Sequence, residues 1–322
     1  MMPSTLSKAH TQQGLTLVEL LVALALSGLV ILAGVAAMSF ARQGFLSVDA
    51  TSQLRDNARF ASQIMRRIIV QAGFQDTDYA VSVGSDFKTA DATEQPNVRG
   101  YNNKKYHQNL ATGADPSPAA AGVNGSDLLV LRFQSGRAVE GGASDEAMIK
   151  CNGQKVTAPI SSTDRTASIF HVAVSATTGE PTLMCSWQND DGTWPTAEPL
   201  VDGVETLQIL YGVDGVTPGA APTTAADTVP DRYLRADQLN GPTEAATIAN
   251  WKRVRSIRVG MVVRGPRGSA PELTVPAQYP LGPNNLMNST NDVGSTLAQQ
   301  SDGRLRQTVT FTIHLRNPQD NL

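Results

Sequence analysis

Glu19 is the residue whose position most clearly requires a chemical explanation. It lies in the run QGLTLVELLVALAL (13–26) and is the only strongly polar side chain in an apolar stretch of 26 residues, 15–40. About 20 apolar residues are enough to cross a bilayer as a helix. A carboxylate inside such a segment costs about 2.5 to 3.5 kcal/mol on insertion scales. We therefore expect Glu19 to have a functional role and a cationic partner.

The residues next to Glu19 indicate what this partner is. Gly14 is followed directly by Leu15, and Glu19 comes four residues after Leu15. This junction resembles the class III signal of type IV pilins and type II secretion pseudopilins. The resemblance implies that a prepilin peptidase cleaves after Gly14 and methylates the new amine of Leu15. It also implies that Glu19 pairs with that amine, in its own chain or in a neighbouring subunit, and so sets the register of the packed helices. Opposite charges attract strongly in a low-dielectric medium, which is consistent with this role.

The N-terminal segment has two other interpretations. One is an uncleaved signal anchor with an incidental acid. The other is a secretory signal peptide, which fits less well because its apolar region has only about 7 to 15 residues. Lys8 precedes the span and Arg42 and Arg55 follow it, so the basic residues do not favour a cytoplasmic N-terminus. A single pass through the bacterial inner membrane, with the C-terminal domain in the periplasm and later at the pilus or cell surface, follows from the resemblance and from the cysteines.

The two cysteines of the chain, Cys151 and Cys185, are 34 positions apart. In a chain that is exported from the cytoplasm, an even pair is most simply a disulfide. Two buried free thiols are the alternative. A metal pair is disfavoured because no histidine lies near either cysteine at ligand spacing.

The remaining polar residues give little support for catalysis. The chain has four histidines, and none belongs to an HExxH, GxSxG or GxxxxGK[ST] motif. We therefore expect no enzymatic activity, no cofactor and no metal. The turn 189–192 (NDDG) lacks the ligand spacing of a calcium loop and is interpreted as a hairpin turn. Two tyrosines and two lysines in 101–107 could contact single-stranded nucleic acid. A net charge of −3 argues against a general polyanion binder, so a solvated loop or a protein contact is preferred.

These residues must be positioned by a long helix and a β-rich region. The spacing of apolar residues after 45 is that of an amphipathic helix, which predicts one helix over 15–72 that ends at Gly73. Its buried face is predicted to comprise Phe45, Val48, Leu54, Ala58, Ala61, Ile64, Met65, Ile68, Ile69 and Ala72. Strands are predicted over 127–133, 168–174, 182–187, 204–211, 256–263 and 308–315. The stretches 76–126, 214–250 and 265–303 are predicted to be loops.

These elements predict an α+β fold of the type IV pilin kind, with the amphipathic half of the helix on an antiparallel sheet that carries long insertions. Three regions follow: a leader, 1–14, which the peptidase removes; the long helix, 15–74, with 15–40 as the transmembrane and assembly segment; and a periplasmic or extracellular β-rich domain, 75–322.

Four sequence segments in the C-terminal two thirds of the chain narrow the resemblance to one family of pilins. They are LVDGVETLQILYGVD (200–214), RYLRADQL (232–239), WKRVRSIRVGMVVR (251–264) and TFTIHLRN (310–317). In this order they resemble the PilW family of type IV pilus minor pilins. The resemblance implies a low-copy subunit that joins other minor pilins at the pilus tip, primes assembly of the major pilin and presents an adhesin-like tip protein. Such pili serve twitching motility and adhesion. A type II secretion J-type pseudopilin, and a DNA-uptake or adhesion pilin that acts as a binding module, are the alternatives.

Overall fold

A computed structural model of the protein describes residues 14, 16–76, 94–112, 120–139, 141–160, 164–270, 272–282, 292–317 and 319. The chain divides into two compact units, Met1–Asp49 and Ala50–Leu322. The leader residues 1–13 and Leu15, which carry the processing prediction, lie outside the described residues.

The long helix, α1, runs over Leu17–Gln71. Between residues 20 and 40 it carries no charged side chain and is apolar on nearly all sides, and its most apolar 18 residues are not buried. Among the described residues, α1 is the one helix that is long and apolar enough to cross a membrane. Phe45 and Val48 were predicted to lie on the buried face, and this was wrong: their side chains are exposed. Burial on that face of the helix begins only at Ala50.

In the second unit, α1 has one buried face. The period of 3.6 residues per turn brings a stripe of apolar side chains to one side. The buried apolar residues on this stripe are Ala50, Leu54, Ala58, Ala61, Met65, Ile68, Ile69 and Ala72. The helix ends where Gly73 adopts a φ of +78°, a conformation that favours glycine. Asn317 then donates its side-chain amide to the carbonyl of Ala72, at 3.1 Å, and so satisfies part of the helix end.

Two antiparallel sheets complete the second unit. The first contains β1 (Val98–Tyr101), β2 (Leu128–Phe133), β3 (Thr166–Val174), β4 (Pro181–Trp187) and β5 (Glu198–Asp202), in the order β1-β2-β3-β4-β5. The second contains β6 (Val204–Val213), β7 (Arg232–Leu234), β8 (Val254–Arg264) and β9 (Arg306–His314), in the order β7-β6-β8-β9. The predicted fold class, a helix packed on antiparallel strands, is confirmed. Its strands are shared between two sheets.

The two sheets meet along β6. Asp127, just before β2, donates its backbone N–H to Leu207 O at 2.7 Å. Its carboxylate accepts the backbone N–H of Ile209 at 2.8 Å. The side-chain amide of Gln208 donates to Gly125 O at 2.8 Å. Because Asp127 is buried, the pKa of its carboxyl is raised well above the ordinary value. These bonds supply partners for the part of β6 that extends beyond the short strand β7.

The main core lies between α1 and the inner faces of the two sheets. Met65 and Ile68 of α1 belong to the same buried cluster as Phe133, Phe170 and Tyr211. A short helix, α2 (Glu244–Trp251), adds Trp251, whose ring lies 4.7 Å from that of Tyr211 in an edge-to-face arrangement. The predictions of uninterrupted loops over 76–126 and 214–250 were therefore wrong. β1 lies within the first stretch, and β7 and most of α2 lie within the second.

Candidate functional site

The first turn of α1 is organised by Thr16 and Glu19. Glu19 accepts the backbone N–H of Thr16 at 2.9 Å and its hydroxyl at 3.0 Å, in both cases through Oε2. In return the backbone N–H of Glu19 donates to Thr16 Oγ1 at 3.3 Å. Thr16 stands immediately before the first helical residue, Leu17, and Glu19 is the third helical residue. This reciprocal pair is a capping box, which satisfies donors that a helix N-terminus otherwise leaves unpaired.

The capping box is a role of Glu19 that the sequence reasoning did not identify. The signal was present, because a threonine followed three positions later by a glutamate, ahead of an apolar run, is the sequence pattern of such a box. The charge-pairing role involves the amine of Leu15, which lies outside the described residues, and therefore stays a prediction. Gly14, the predicted cleavage position, is exposed.

The helix that follows the capping box exposes a continuous apolar surface. Leu17 and Phe40, near the two ends of the apolar stretch, are 74% and 76% exposed. Soluble single chains rarely expose apolar patches of more than a few hundred Å². A helix that is apolar all round therefore fits a lipid bilayer or a bundle of similar helices.

The cysteine pair forms a disulfide in the second unit. Cys151 and Cys185 are bonded, their Cα atoms are 5.8 Å apart, and both are fully buried. Cys185 belongs to β4, and the backbone N–H of Cys151 donates to Ser168 Oγ of β3 at 3.1 Å. The disulfide therefore links the connection between β2 and β3 to the first sheet.

Among the described residues, His171 is a histidine that is buried beside a polar side chain. Its Nε2 lies 3.0 Å from Ser186 Oγ, and its ring stacks on Tyr106 with centroids 4.6 Å apart. Burial lowers the pKa of His171 to about 3, so the ring is neutral at physiological pH. A buried, neutral Ser–His pair without access to solvent is a packing arrangement. His107 and His314 are exposed.

The aromatic residues of 101–107 pack inside the protein. Tyr101 is buried and its hydroxyl donates to Leu110 O at 3.1 Å. Tyr106 packs against a small cluster on the outer face of the first sheet, which contains Leu128, Val130 and Ile169. The Tyr101 ring is therefore closed to a stacking base, and one face of the Tyr106 ring is covered by His171. The two lysines, 104 and 105, are partly or fully exposed.

A cleft with a volume of about 580 Å³ lies between β1 and residues 236–247. Arg99 and Glu244 form an ion pair of 2.7 Å across it, and Asn102 accepts the backbone N–H of Asp237 at 2.8 Å. The charges that line this cleft therefore largely neutralise one another. Over the described ranges, no group of three His, Cys, Asp or Glu residues is placed to hold a metal ion.

Comparisons with known proteins return two family matches. Residues 169–317 match the family described as type IV Pilus-assembly protein W, and residues 9–35 match the prokaryotic N-terminal methylation motif. Among solved structures, the chain is similar to the type IV-like pilin TTHA1219 from Thermus thermophilus. The sequence identity is 13%, the similarity covers 83% of this chain and 98% of that chain, and the TM-score is 0.39. Among curated proteins, none matches this chain.

Proposed function

We propose that this chain, a PilW-like prepilin by its two family matches, is a minor pilin of a type IV pilus. It would join other minor pilins in a complex at the pilus tip, prime assembly of the major pilin and present an adhesin-like tip protein. Pili built in this way would serve adhesion and twitching motility. Its role is structural, and we assign it no catalytic activity.

One observation carries this proposal. A single carboxylate, Glu19, lies at the start of an exposed apolar helix, four residues after Leu15 in the methylation motif. An exposed apolar helix needs an apolar environment, first lipid and then other helices, and the lone charge needs a cation within it. Assembly of subunits through these helices satisfies both requirements.

The proposed path begins in the inner membrane. The prepilin peptidase removes residues 1–14 and methylates Leu15, while residues 15–40 hold the protein in the membrane. The β-rich domain, 75–322, faces the periplasm, and the second half of the helix, up to residue 74, packs against it. The disulfide between Cys151 and Cys185 supports this orientation, because disulfides persist in the periplasm and are rare in the cytoplasm.

The decisive experiment separates the charge of Glu19 from its capping role. Glutamine can occupy the third position of a capping box, so Glu19→Gln keeps the box and removes the charge. We expect Glu19→Gln to be cleaved and methylated normally but to enter pili poorly, as Glu19→Ala should. Thr16→Ala removes the box while keeping the charge and should assemble better than either variant. Normal piliation with Glu19→Gln would remove the charge-pairing role.

Two further measurements test the path itself. The intact mass of the protein from cells should correspond to a chain that begins at methylated Leu15; a chain that begins at Met1 would indicate an uncleaved anchor. Deletion of the gene should abolish or strongly reduce piliation. A deletion strain that keeps its pili but fails to secrete type II substrates would identify a J-type pseudopilin instead.

A further inference from the structure

The four outer strands of the two sheets are protected to different degrees. β1 has four residues and β7 has three, so each offers a short edge. β5 contains Glu198, Pro199 and Asp202, and its pairing with β4 shifts register between Leu183 and Met184. Charges, proline, bulges and short length are the usual devices that prevent strands from pairing at an edge. Three of the four edges therefore carry such a device.

β9 is the exception. It has nine residues, Arg306–His314, and pairs with β8 without a register shift from Arg306 to His314. Residues 307–313 (QTVTFTI) contain no proline and no charged side chain, and threonine, valine, phenylalanine and isoleucine all favour strands. An edge of this length and regularity is a template on which another strand can add.

The hydrogen bonds next to β9 show which of its backbone groups point outward. Leu315 N–H donates to Arg255 O at 2.9 Å, and Gly265 N–H donates to Leu305 O at 2.8 Å. In an antiparallel pair the bonded residues alternate, so the odd-numbered residues of β9 bond to β8. The even-numbered Thr308, Thr310 and Thr312 direct their N–H and C=O groups away from β8. In the part of the chain that the structure describes, one hydrogen bond reaches this edge, from the Arg66 guanidinium to Thr312 O at 3.4 Å.

Described residues contact both faces of β9. Phe311 and Ile313 are buried in the main core. On the opposite face, Thr310 Oγ1 donates to Pro280 O at 2.6 Å, and Thr308 Oγ1 donates to the side chain of Gln278 at 3.2 Å. The strand is thus fixed in extended form before any partner arrives, which lowers the ordering cost of adding a strand.

A row of arginines on α1 borders this edge. Arg55, Arg59 and Arg66 are exposed. Arg59 comes 4 positions and Arg66 comes 11 positions after Arg55, so all three lie within about 40° of one another around the helix axis. The Arg66 guanidinium lies over the Phe311 ring, 4.4 Å from its centroid. The arginine row, defined as these three residues, therefore runs along the side of α1 that faces β9. A strand that adds to β9 would carry acidic side chains to match this row.

We propose that the outer edge of β9 binds an extended segment with acidic side chains from another subunit. The segment adds as a fifth strand of the second sheet, its backbone bonds Thr308 and Thr310, and its carboxylates meet Arg59 and Arg66. Addition of a strand to a sheet edge is a known mode of peptide recognition, in which main-chain bonds give affinity and side chains give selectivity. The identity of the donor as a pilus subunit rests on the proposed function.

Residue-resolved amide hydrogen exchange on the mature full-length chain in detergent micelles tests this directly. Without a partner, the amides of Thr308 and Thr310 should exchange much faster than those of Val309 and Phe311, which bond to β8. The probes are three synthetic eight-residue peptides: one that alternates threonine and glutamate, its lysine counterpart, and a glutamate peptide interrupted by proline. The glutamate peptide should slow exchange at Thr308 and Thr310 at least about tenfold, and the other two should not.

A matched pair of variants tests the charge requirement. Arg59→Gln should weaken binding of the glutamate peptide several-fold, whereas Arg67→Gln, about 100° from Arg66 around the helix, should leave it unchanged. The proposal is overturned if the threonine amides are already as slow as their neighbours without a peptide, if no peptide slows them, or if the lysine peptide does so equally. Slowing that depends on protein concentration alone would identify a second copy of this chain as the occupant. None of these readouts depends on piliation, so failure here is distinguishable from failure of the minor-pilin assignment.

Discussion

Replacement of Arg306 by methionine should destabilise the second unit strongly. Arg306 donates to Glu205 through Nε at 2.6 Å and Nη2 at 2.9 Å, and to Asp302 through Nη1 and Nη2, both at 2.8 Å. The side chains of Arg306 and Glu205 are 1% and 4% exposed. Arg306→Met would leave the Glu205 carboxylate buried with Arg264 as its remaining cation, at 3.0 Å. Removal of one partner from a buried ion pair costs about 3 to 5 kcal/mol, because the other charge stays behind.

The assay is urea unfolding of the mature full-length chain in micelles, followed by fluorescence of Trp187 and Trp251, which are buried. The free energy of unfolding should fall by about 3 to 5 kcal/mol for Arg306→Met. Arg267→Met is the matched control: Arg267 is exposed nearby, and its loss should change stability by about 0.5 kcal/mol or less. A loss below about 1 kcal/mol for Arg306→Met would refute the reasoning that this pair needs both charges.

Two further perturbations probe the second unit. Replacement of both Cys151 and Cys185 by serine should lower the free energy of unfolding by about 4 kcal/mol, because the bond closes a span of 34 positions. Wild-type protein whose disulfide has been reduced should unfold like this variant. A difference between the two would contradict a purely cross-linking effect. Burial keeps the folded-state pKa of His171 at about 3, whereas the unfolded-state pKa is about 6.5. Below about pH 6.5 the unfolded state therefore binds a proton that the folded state does not. The contribution of His171 to stability is complete above about pH 6.5 and is lost as the pH falls. Between pH 7 and 5, wild type should lose about 2 kcal/mol relative to His171→Phe. Parallel unfolding curves at pH 7 and 5 test this, and an unchanged difference would show that His171 becomes charged inside the fold.

The elements with strong periodicity were predictable from the sequence. The helix predicted over 15–72 is observed as Leu17–Gln71, and each of the six predicted strands corresponds to an observed strand within two residues at either end. The predictions for these segments are correct because the local alternation of apolar and polar side chains determines the type of element. In β9, for example, apolar residues alternate with polar ones, and Phe311 and Ile313 are buried while Thr310 and His314 are exposed.

The features that sequence reasoning missed depend on contacts between distant segments. Thr206 and Gln208 alternate with the apolar residues of β6, a pattern that is typical of a strand with one polar face, yet both side chains are fully buried. The side-chain amide of Gln208 donates to Gly125 O, more than 80 positions earlier in the chain, and no local pattern in the sequence indicates this contact. The short elements β1, β5, β7 and α2 have too few residues to show a period. The division into two sheets depends on which strand edges meet, which is likewise a non-local property.

The capping box changes the physical picture of Glu19 without displacing its proposed charge pairing. Both hydrogen bonds from Thr16 reach the same carboxylate oxygen, Oε2. Within the described residues, Oε1 accepts no hydrogen bond and is left for a cation. The box fixes the orientation of the carboxylate, so a neighbouring amine would meet a group that has already lost its rotational freedom. A charge held in one direction can then select one position of the neighbouring helix, whereas a freely rotating side chain would accept several. This is why the comparison of Thr16→Ala with Glu19→Gln is informative. The first variant should loosen the register while keeping the attraction, and the second should keep the orientation while removing the attraction.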